Sequence, residues 1–360
     1  MAIRLKDLAE HLNISVSTVS AALQNRDDIS KATRLRVSEA VKRLGYHPNS
    51  LARGLVTRKT YVLGAIVPDL SRSFYAEVLK GIDSVTSSAS YNLLVCNTEE
   101  DADREEEMLR MLLSHQVEGI LLASAHGPTN TAWRKTLQKL SVPVVLIDRR
   151  LAGLNFVGGD DNAIGFVATE HLYEQGYRRI AHIAGPSTVS TAAERLSGYR
   201  RALQALGLPM DESLVIESHY HDESGGYDAM QRFLRLESRP DSVFAASDPI
   251  AIGALQAALE SGLTLPADFG LIGVGNHRYG PFLKVTLSTM DQQRSQIGLL
   301  AAKLMLSLIE KERARPKSIL ISPTLVIRDS SNRGLSAAHS SSTILRNLST
   351  AQNGSKSPTS

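Results

Sequence analysis

Residues 14–23 read ISVSTVSAAL. Ser15 is a residue type that caps a helix, its side-chain oxygen accepting from a backbone N–H two or three positions on. Behind it Val16, Val19 and Leu23 recur at helical spacing and are expected to turn inward. Between them Ser17, Thr18, Ser20 and Ala21 form a thin outer face. A helix with such a face fits the DNA major groove, which admits one α-helix. Upstream, Leu5, Leu8, Ala9 and Leu12 mark another amphipathic helix, and Asn13 ends it at a position tolerant of left-handed geometry. Downstream, Ser30 caps a third helix, with Leu35, Val37, Val41 and Leu44 as its inner stripe and Gly45 as its stop. Two short helices joined by a three- or four-residue turn, the second with a groove-fitting face, have the pattern of a helix-turn-helix.

The segment that follows, YHPNSLARGL at 46–55, is too short to hold a helix alone, since isolated helices below ~12 residues are marginal. It carries Arg53 and Leu55 and leads through Arg58 and Lys59 into an apolar run. An apolar side chain on such a segment can wedge between base steps of the minor groove; a plain linker would be richer in Gly, Ser or Pro. Charge points the same way. Residues 1–60 hold 11 Lys/Arg against 5 Asp/Glu, a net +6, within a chain whose total is only +3. A basic head on a slightly acidic body suits a polyanion at one end only.

At 360 residues and 42% hydrophobic composition the chain can build more than one core. The single cysteine, Cys96, excludes an intrachain disulfide and a cysteine-based zinc site, and its setting LLVCN reads as a buried strand. No stretch approaches the ~18 apolar residues of a membrane span and the N-terminus lacks a signal-peptide core, so a cytoplasmic protein is expected.

From Tyr61 short apolar runs alternate with helical ones. Strands are expected at 61–68, 91–97, 117–124, 143–148, 179–185, 214–218, 242–247, 271–275 and 318–328, and helices at 74–89, 99–116, 130–140, 162–175, 191–206, 223–236, 249–261 and 291–310. Strands with little alternation, separated by helices, indicate parallel sheets covered on both faces. Two successive sets of βα units suggest two doubly wound subdomains, with FVGGDDN at 156–162 as the crossover between them. From Ser331 the composition turns to Ser, Thr, Asn and Gly, which reads as a disordered tail.

The segment Ile3–Leu55 resembles the DNA-binding headpiece and hinge of the LacI/GalR family of bacterial regulators, through LKDLAEHLNISVSTVS, ISKATRLRVSEAVKRLGYHPN and ARGL. The body resembles the same family through DLSRSFYAEVLKGI, VEGILL, PVVLIDRR, DDNAIG, ERLSGYRRAL, FAASDPIAIGAL and LPADFGLIGVGN, in order. The resemblance implies an all-α helix-turn-helix headpiece joined to an α/β, periplasmic-binding-protein-like core of two doubly wound parallel-sheet subdomains. It divides the chain into a headpiece at 1–46, a hinge helix and linker at 47–60, a core at 61–330 and a tail at 331–360. Within the core, one lobe would hold about 61–161 and 291–321, the other about 162–290 and 322–330, with three crossings between them.

By the same resemblance the protein is a homodimeric transcriptional repressor of carbohydrate-utilisation genes, bound to a near-palindromic double-stranded operator and to the nucleoid when so bound. A small sugar-like effector would sit in the interlobe cleft. A regulator with a carboxylate or nucleobase effector, or a cytoplasmic sugar-binding or sugar-processing protein, stays open as an alternative. Val16, Ser17 and Ala21 take base-reading positions and Leu55 the inserted hinge position. Leu5, Ser15, Thr18, Ser20, Gln24, Ser30, Thr33, Asn49, Ala52 and Arg53 complete the expected DNA-contacting set. The family usually has Arg where this chain has Ala21. Arg can bond bidentately to guanine and supply about 1–3 kcal/mol of discrimination, so a different operator base is expected there. Partner contacts are expected from helix 74–89 and from Ile252 and Leu255.

In open parallel sheets the ligand lies beyond the carboxyl ends of the strands. That rule points to Asp69–Phe74, Asp148–Arg149, Ser187–Arg195, Tyr220, Asp248 and the loop at Gly275–Asn276, and with the resemblance it marks Arg72, Ser73, Phe74, Asp148, Asp161, Arg195, Tyr220, Asp248 and Asn276 as the effector-binding set. Arg195 can hold a hydroxyl pair or carboxylate with its planar fork or be a surface helix charge. Asp248 can instead cap the following helix, and Tyr220 can be a stacking platform or ordinary packing. The family commonly has Asn-Pro at Arg72–Ser73 and Asp at Gly275. An added cation and a lost acid favour an anionic effector, such as a phosphorylated sugar or a carboxylate. GVGNHR at 273–278 lacks the last glycine of a dinucleotide fingerprint, and His219 and His221 have no further ligand cluster nearby. No cofactor, metal or catalytic site is expected.

Overall fold

The computed structural model describes residues 3–23, 26–45, 59–218, 223–310 and 315–334. The chain divides between Tyr61 and Val62 into two compact units.

The first unit is three helices, α1 (Leu5–Leu12), α2 (Val16–Leu23) and α3 (Lys31–Leu44). Asn13 closes α1 at φ +51°. The Ser15 hydroxyl accepts from Thr18 N at 3.0 Å at the start of α2, and Ser30 accepts from Thr33 N at 3.1 Å at the start of α3. Gly45 ends α3 at φ +64°. The core is Leu8, Ala9, Leu12, Val19, Ala22, Val37 and Ala40. Two expectations fail. Leu35 is 61% exposed, because two residues along a helix rotate it by roughly 200° and Leu35 cannot share a face with Val37. Val16 is 42% exposed; it sits in the first turn of α2, off the inward stripe of Val19 and Ala22.

The second unit, from Val62, holds two six-stranded sheets. The first is built from β1 (Val62–Val67), β2 (Asn92–Asn97), β3 (Gly119–Leu122), β4 (Val144–Ile147), β5 (Asn155–Gly159) and β11 (Ser318–Ile321), in the order β11-β5-β4-β3-β1-β2. The second is built from β6 (Ile180–Ala184), β7 (Val215–Glu217), β8 (Ser242–Ala245), β9 (Gly270–Val274), β10 (Ser288–Asp291) and β12 (Thr324–Val326), in the order β12-β10-β9-β8-β6-β7. All pairings are parallel except β10 with β12. Helices α4 (Ser73–Thr86), α5 (Ala102–Ser114), α6 (Thr131–Gln138) and α11 (Arg294–Glu310) accompany the first sheet, while α7 (Asp161–Glu174), α8 (Ser190–Ala205), α9 (Glu223–Leu234) and α10 (Asp248–Glu260) accompany the second. Each sheet therefore carries an apolar core on both faces, the arrangement that turns parallel strands into continuous hydrophobic runs.

The chain passes between the lobes after β5, after β10 and between β11 and β12. Residues 156–159, expected to be crossover, belong to strand β5, and the crossing is confined to Asp160. Strand β10 was not expected at all. The run 318–328, expected as one strand, breaks at Ser322–Pro323 into two strands of different sheets. Ser331, expected to open a disordered tail, is fully buried. Its hydroxyl lies 2.7 Å from both His171 Nε2 and Ser288 Oγ, and Arg333 stacks 3.8 Å from the Tyr177 ring centroid; residues 335–360 lie outside the described set. Leu255 is 4% exposed within its own lobe's core, so it is withdrawn from the expected partner contact.

Candidate functional site

The carboxyl ends of the two sheets face each other across a cleft. Arg72, Phe74, Tyr75, Asp148 and Arg149 line it from the first lobe. Thr191, Arg195, Ser247, Val274, Gly275 and His277 line it from the second, and Gln292 from the second crossing.

Arg195 is fixed through three of its nitrogens. Gly165 on α7 and Gly198 on α8 let the two helix backbones touch: a Cβ on Gly165 would lie 2.0 Å from Arg195 O, and one on Gly198 2.1 Å from Asn162 O. That approach brings Arg195 to the first residue of α7. Its Nε and Nη2 each lie 2.7 Å from Asp161 Oδ1, and Nη1 donates to Ala246 O at 2.6 Å. Both side chains are buried, Arg195 at 4% and Asp161 at 3% exposure, so Arg195 is no surface helix charge. Burial pushes the Asp161 carboxyl up to about 7, against the pull of Arg195. Asp161 thus stands behind Arg195 and orients it, outside the cleft lining.

Asp148 sits at the end of β4 with φ +64°, and its Oδ2 accepts from Tyr75 Oη at 2.9 Å. Burial raises the Asp148 carboxyl, with Arg149 and Arg195 opposing. Beside it, Glu100 holds two arginines at once. Arg149 donates to it through Nη1 and Nη2 at 2.6 and 2.7 Å, and Arg72 Nη1 lies 2.6 Å away. Burial alone would raise Glu100, but Arg149 and then Arg72 hold it down at about 2. Arg72 also pairs with Asp69 at 3.3 Å.

On the opposite wall Asp248 is buried at 1% exposure. It accepts from Thr289 Oγ1 at 2.7 Å and from the His277 backbone N–H at 2.8 Å, so it braces the 275–277 loop. The helix cap is Ser247, which accepts from Ile250 N at 3.4 Å. Burial raises the Asp248 carboxyl, with those two hydrogen bonds opposing. Asn276 turns toward the crossings instead of the cleft. Arg328 Nη2 donates to its Oδ1 at 2.7 Å, its Nδ2 donates to Asp291 Oδ2 at 2.9 Å, and Arg294 Nη2 donates to its carbonyl at 3.1 Å. Ser73 lies beside the cleft, its Oγ 3.2 Å from His277 Nε2 on the other lobe. A second pair of lobe-to-lobe contacts closes the far side, Arg150 N to Ser190 Oγ at 3.0 Å and Arg150 to Glu194 at 3.5 Å.

Of the nine expected effector residues, then, Arg72, Phe74, Asp148 and Arg195 line the cleft. Ser73, Asp161 and Asp248 support it, Asn276 joins the crossings, and Tyr220 lies outside the described residues. His219 and His221 lie outside them too, and among the described residues no cluster fit to hold a metal is present. Arg149, Thr191 and Gly275 line the cleft from segments that the strand-end rule marked, whereas Tyr75, Ser247, Val274, His277 and Gln292 were not singled out beforehand. Strand-end position alone could have found Ser247 and Val274 as well.

In the headpiece Ser15, Val16 and Ser17 are exposed, while Thr18, Ser20 and Ala21 are half-buried along α2. The Ser15 hydroxyl lies 2.7 Å from both Ser17 Oγ and Thr18 Oγ1. Leu5 and Thr33 are half-buried and Ser30 is exposed. Gln24, Asn49, Ala52, Arg53 and Leu55 lie outside the described residues.

Residues 4–49 match the model of bacterial regulatory proteins of the lacI family, and residues 60–329 that of periplasmic binding proteins and the sugar-binding domain of the LacI family. The chain is 32% identical to catabolite control protein A of Priestia megaterium over 87% of its own length and 94% of that protein's. It is 32% identical to the ribose operon repressor of Haemophilus influenzae, covering 91% and 98%, and 32% identical to the transcriptional repressor PurR of Edwardsiella ictaluri, covering 91% and 96%. Among solved structures, a transcriptional regulator CelR–cellobiose complex superimposes with a TM-score of 0.70 at 29% identity, covering 91% of this chain and 99% of that one. A lac repressor dimer bound to operator and the anti-inducer ONPF gives 0.85 at 22% identity, covering 92% and 99%, a likeness of fold. These relatives are transcriptional regulators, and no helix among the described residues is long and apolar enough to cross a membrane. With both of its units matched and its relatives aligned over nine-tenths of its length, the chain belongs to the LacI family of bacterial regulatory proteins, DNA-binding repressors governed by small-molecule effectors.

Proposed function

We propose that the protein is a cytoplasmic, non-enzymatic repressor that binds a near-palindromic operator as a homodimer and is set by a neutral, hydroxyl-rich effector held between its lobes. The carrying observation is the charge pairing of the cleft. Arg72 is matched by Glu100 and Asp69 and Arg149 by Glu100, while Arg195 is bonded to Asp161, whose carboxyl is raised to about 7. The cation expected to favour a phosphorylated sugar or carboxylate is therefore already neutralised. What the cleft offers instead is directional hydrogen bonding from Arg195, Asp148 and Tyr75 around the Phe74 face, the composition of a polar-ligand site. The ribose repressors and the cellobiose-bound CelR regulator among its relatives support a sugar; the purine repressor supports a nucleobase as the second reading.

Dimerisation sets the spacing of two headpieces on half-sites, with α2 of each in the major groove. An effector that prefers one arrangement of the lobes changes operator affinity, and the operator changes effector affinity by the same factor. Regulation of carbohydrate-utilisation genes follows from the neutral sugar reading. The test is a gel shift with the full chain and the duplex upstream of its own gene. Retardation that survives random competitor DNA and changes with a neutral sugar supports the proposal. Retardation lost equally to any competitor rejects it.

A further inference from the structure

The wall of the cleft opposite Arg72 has a gap at residue 275. Gly275 has φ +133°, and a Cβ there would lie 3.0 Å from His277 Cδ2. The His277 ring fills the side-chain space that position would otherwise use. Its backbone N–H is fixed on Asp248 and its Nδ1 lies 2.6 Å from Tyr279 Oη, so the ring is held at both ends. The remaining nitrogen, Nε2, faces Ser73 across the cleft at 3.2 Å.

Arg294 Nη1 donates to Ser73 Oγ at 3.5 Å, an arrangement compatible with the Ser73 hydroxyl donating to His277 Nε2 and with Nδ1–H donating to Tyr279 Oη. Burial and Arg294 lower the His277 pKa and favour the neutral ring, while Asp248, Glu77 and Glu223 raise it without reversing the sign.

We propose that His277 is a specificity-determining residue of the effector cleft, its Nε2 accepting a hydrogen bond from a hydroxyl or N–H of a neutral effector in exchange for Ser73 of the facing lobe. The proposal rests on the cleft being the effector site. It ties selection to regulation, because the effector group that reaches Nε2 replaces a lobe-to-lobe contact.

Two measurements test it. In the full chain labelled with ¹⁵N-histidine, with the His277 signal assigned by its loss in His277→Gln, the ring is expected to be neutral at pH 7 with its proton on Nδ1. A proton on Nε2, or a charged ring, overturns the proposal. Calorimetric titration with D-ribose, cellobiose and hypoxanthine, with ribose 5-phosphate as the anionic control, gives the second readout. A neutral probe that binds is expected to bind about tenfold more weakly to His277→Ala, the cost of one hydrogen bond. His277→Gln, whose amide oxygen is again an acceptor, is expected to recover most of that loss. Unchanged binding in His277→Ala alongside a loss in Asp148→Asn overturns the role of His277 and leaves the cleft standing. Unchanged binding in both variants overturns the cleft reading itself. Binding of ribose 5-phosphate alone overturns the neutral-effector proposal.

Discussion

Arg195→Met keeps most of the side-chain volume and removes the guanidinium. Three contacts disappear: two of 2.7 Å to Asp161 and one of 2.6 Å to the Ala246 carbonyl. What remains is a carboxyl group at 3% exposure with no countercharge. Breaking a buried ion pair from one side costs about 3–5 kcal/mol, so a loss of that order is expected at pH 8. The loss depends on pH in a defined direction. The Asp161 carboxyl is already raised to about 7 in the folded protein, well above its unfolded value of ~3.9. Folding therefore favours its protonated form, a contribution fully present below the unfolded value and lost as pH rises through the folded one. Without Arg195 the folded value rises further, and the deficit against the parent protein widens as pH climbs past about 7. Urea unfolding followed by far-ultraviolet circular dichroism at pH 6 and pH 8 measures both quantities. A loss below about 1 kcal/mol at pH 8, the scale of an exposed pair, or a loss as large at pH 6, refutes the reasoning. Asp161→Asn combined with Arg195→Met should restore much of the stability, because a buried pair replaced on both sides is often near neutral.

Further outcomes are expected elsewhere. Gly198→Ala drives a methyl group against Asn162 O, and overpacking of about 1–3 kcal/mol should lower the melting temperature; an unchanged melting temperature argues against the α7–α8 contact. Glu100→Gln should let ribose 5-phosphate bind by unmasking Arg72 and Arg149, which calorimetry would detect. The same carboxyl, held down at about 2, contributes stability present above its unfolded value and lost as pH falls toward 2, so Glu100→Gln should flatten the acid limb of unfolding. In the headpiece, Leu35→Lys should leave hydrogen exchange across 31–44 unchanged while Val37→Lys abolishes protection, given their 61% and 1% exposures. Substituting Ser17 should change the preferred base, whereas a uniform loss on all duplexes would mean phosphate contact only.

The βα rhythm was legible because central parallel strands are buried on both faces: β1, β3, β4, β8 and β9 are apolar runs without alternation. Strand β10, Ser-Thr-Met-Asp, was not, because Ser288 and Thr289 are buried through hydrogen bonds to Arg328 O and Asp248 rather than by apolar packing. A buried polar strand reads as a loop. Asn155–Gly159 hid for a related reason, with two glycines in five residues. At the site, Arg195 and Asp148 were visible from their places at strand and helix ends. Glu100 was not, since it belongs to an acidic run that reads as a solvated helix start, and its partners Arg72 and Arg149 come from other segments. His277 escaped because its role depends on the room left by Gly275 and on Ser73, some two hundred positions away. In the headpiece, helical phase misled at Leu35, placed on one face with Val37 two residues on, and at Val16, whose place in the first turn of α2 leaves it 42% exposed.

The central claim is that a DNA-reading headpiece is governed by a ligand cleft in the same chain. Its most direct test is selection of duplexes from a random pool by the full protein, followed by anisotropy titration of the enriched sequence with and without a neutral sugar that binds the cleft. The account predicts enrichment of a sequence symmetric about its centre and an operator affinity that shifts with the sugar in the parent protein but not in Arg195→Met. A pool that emerges as random as it began, or an affinity indifferent to the bound sugar, would contradict it.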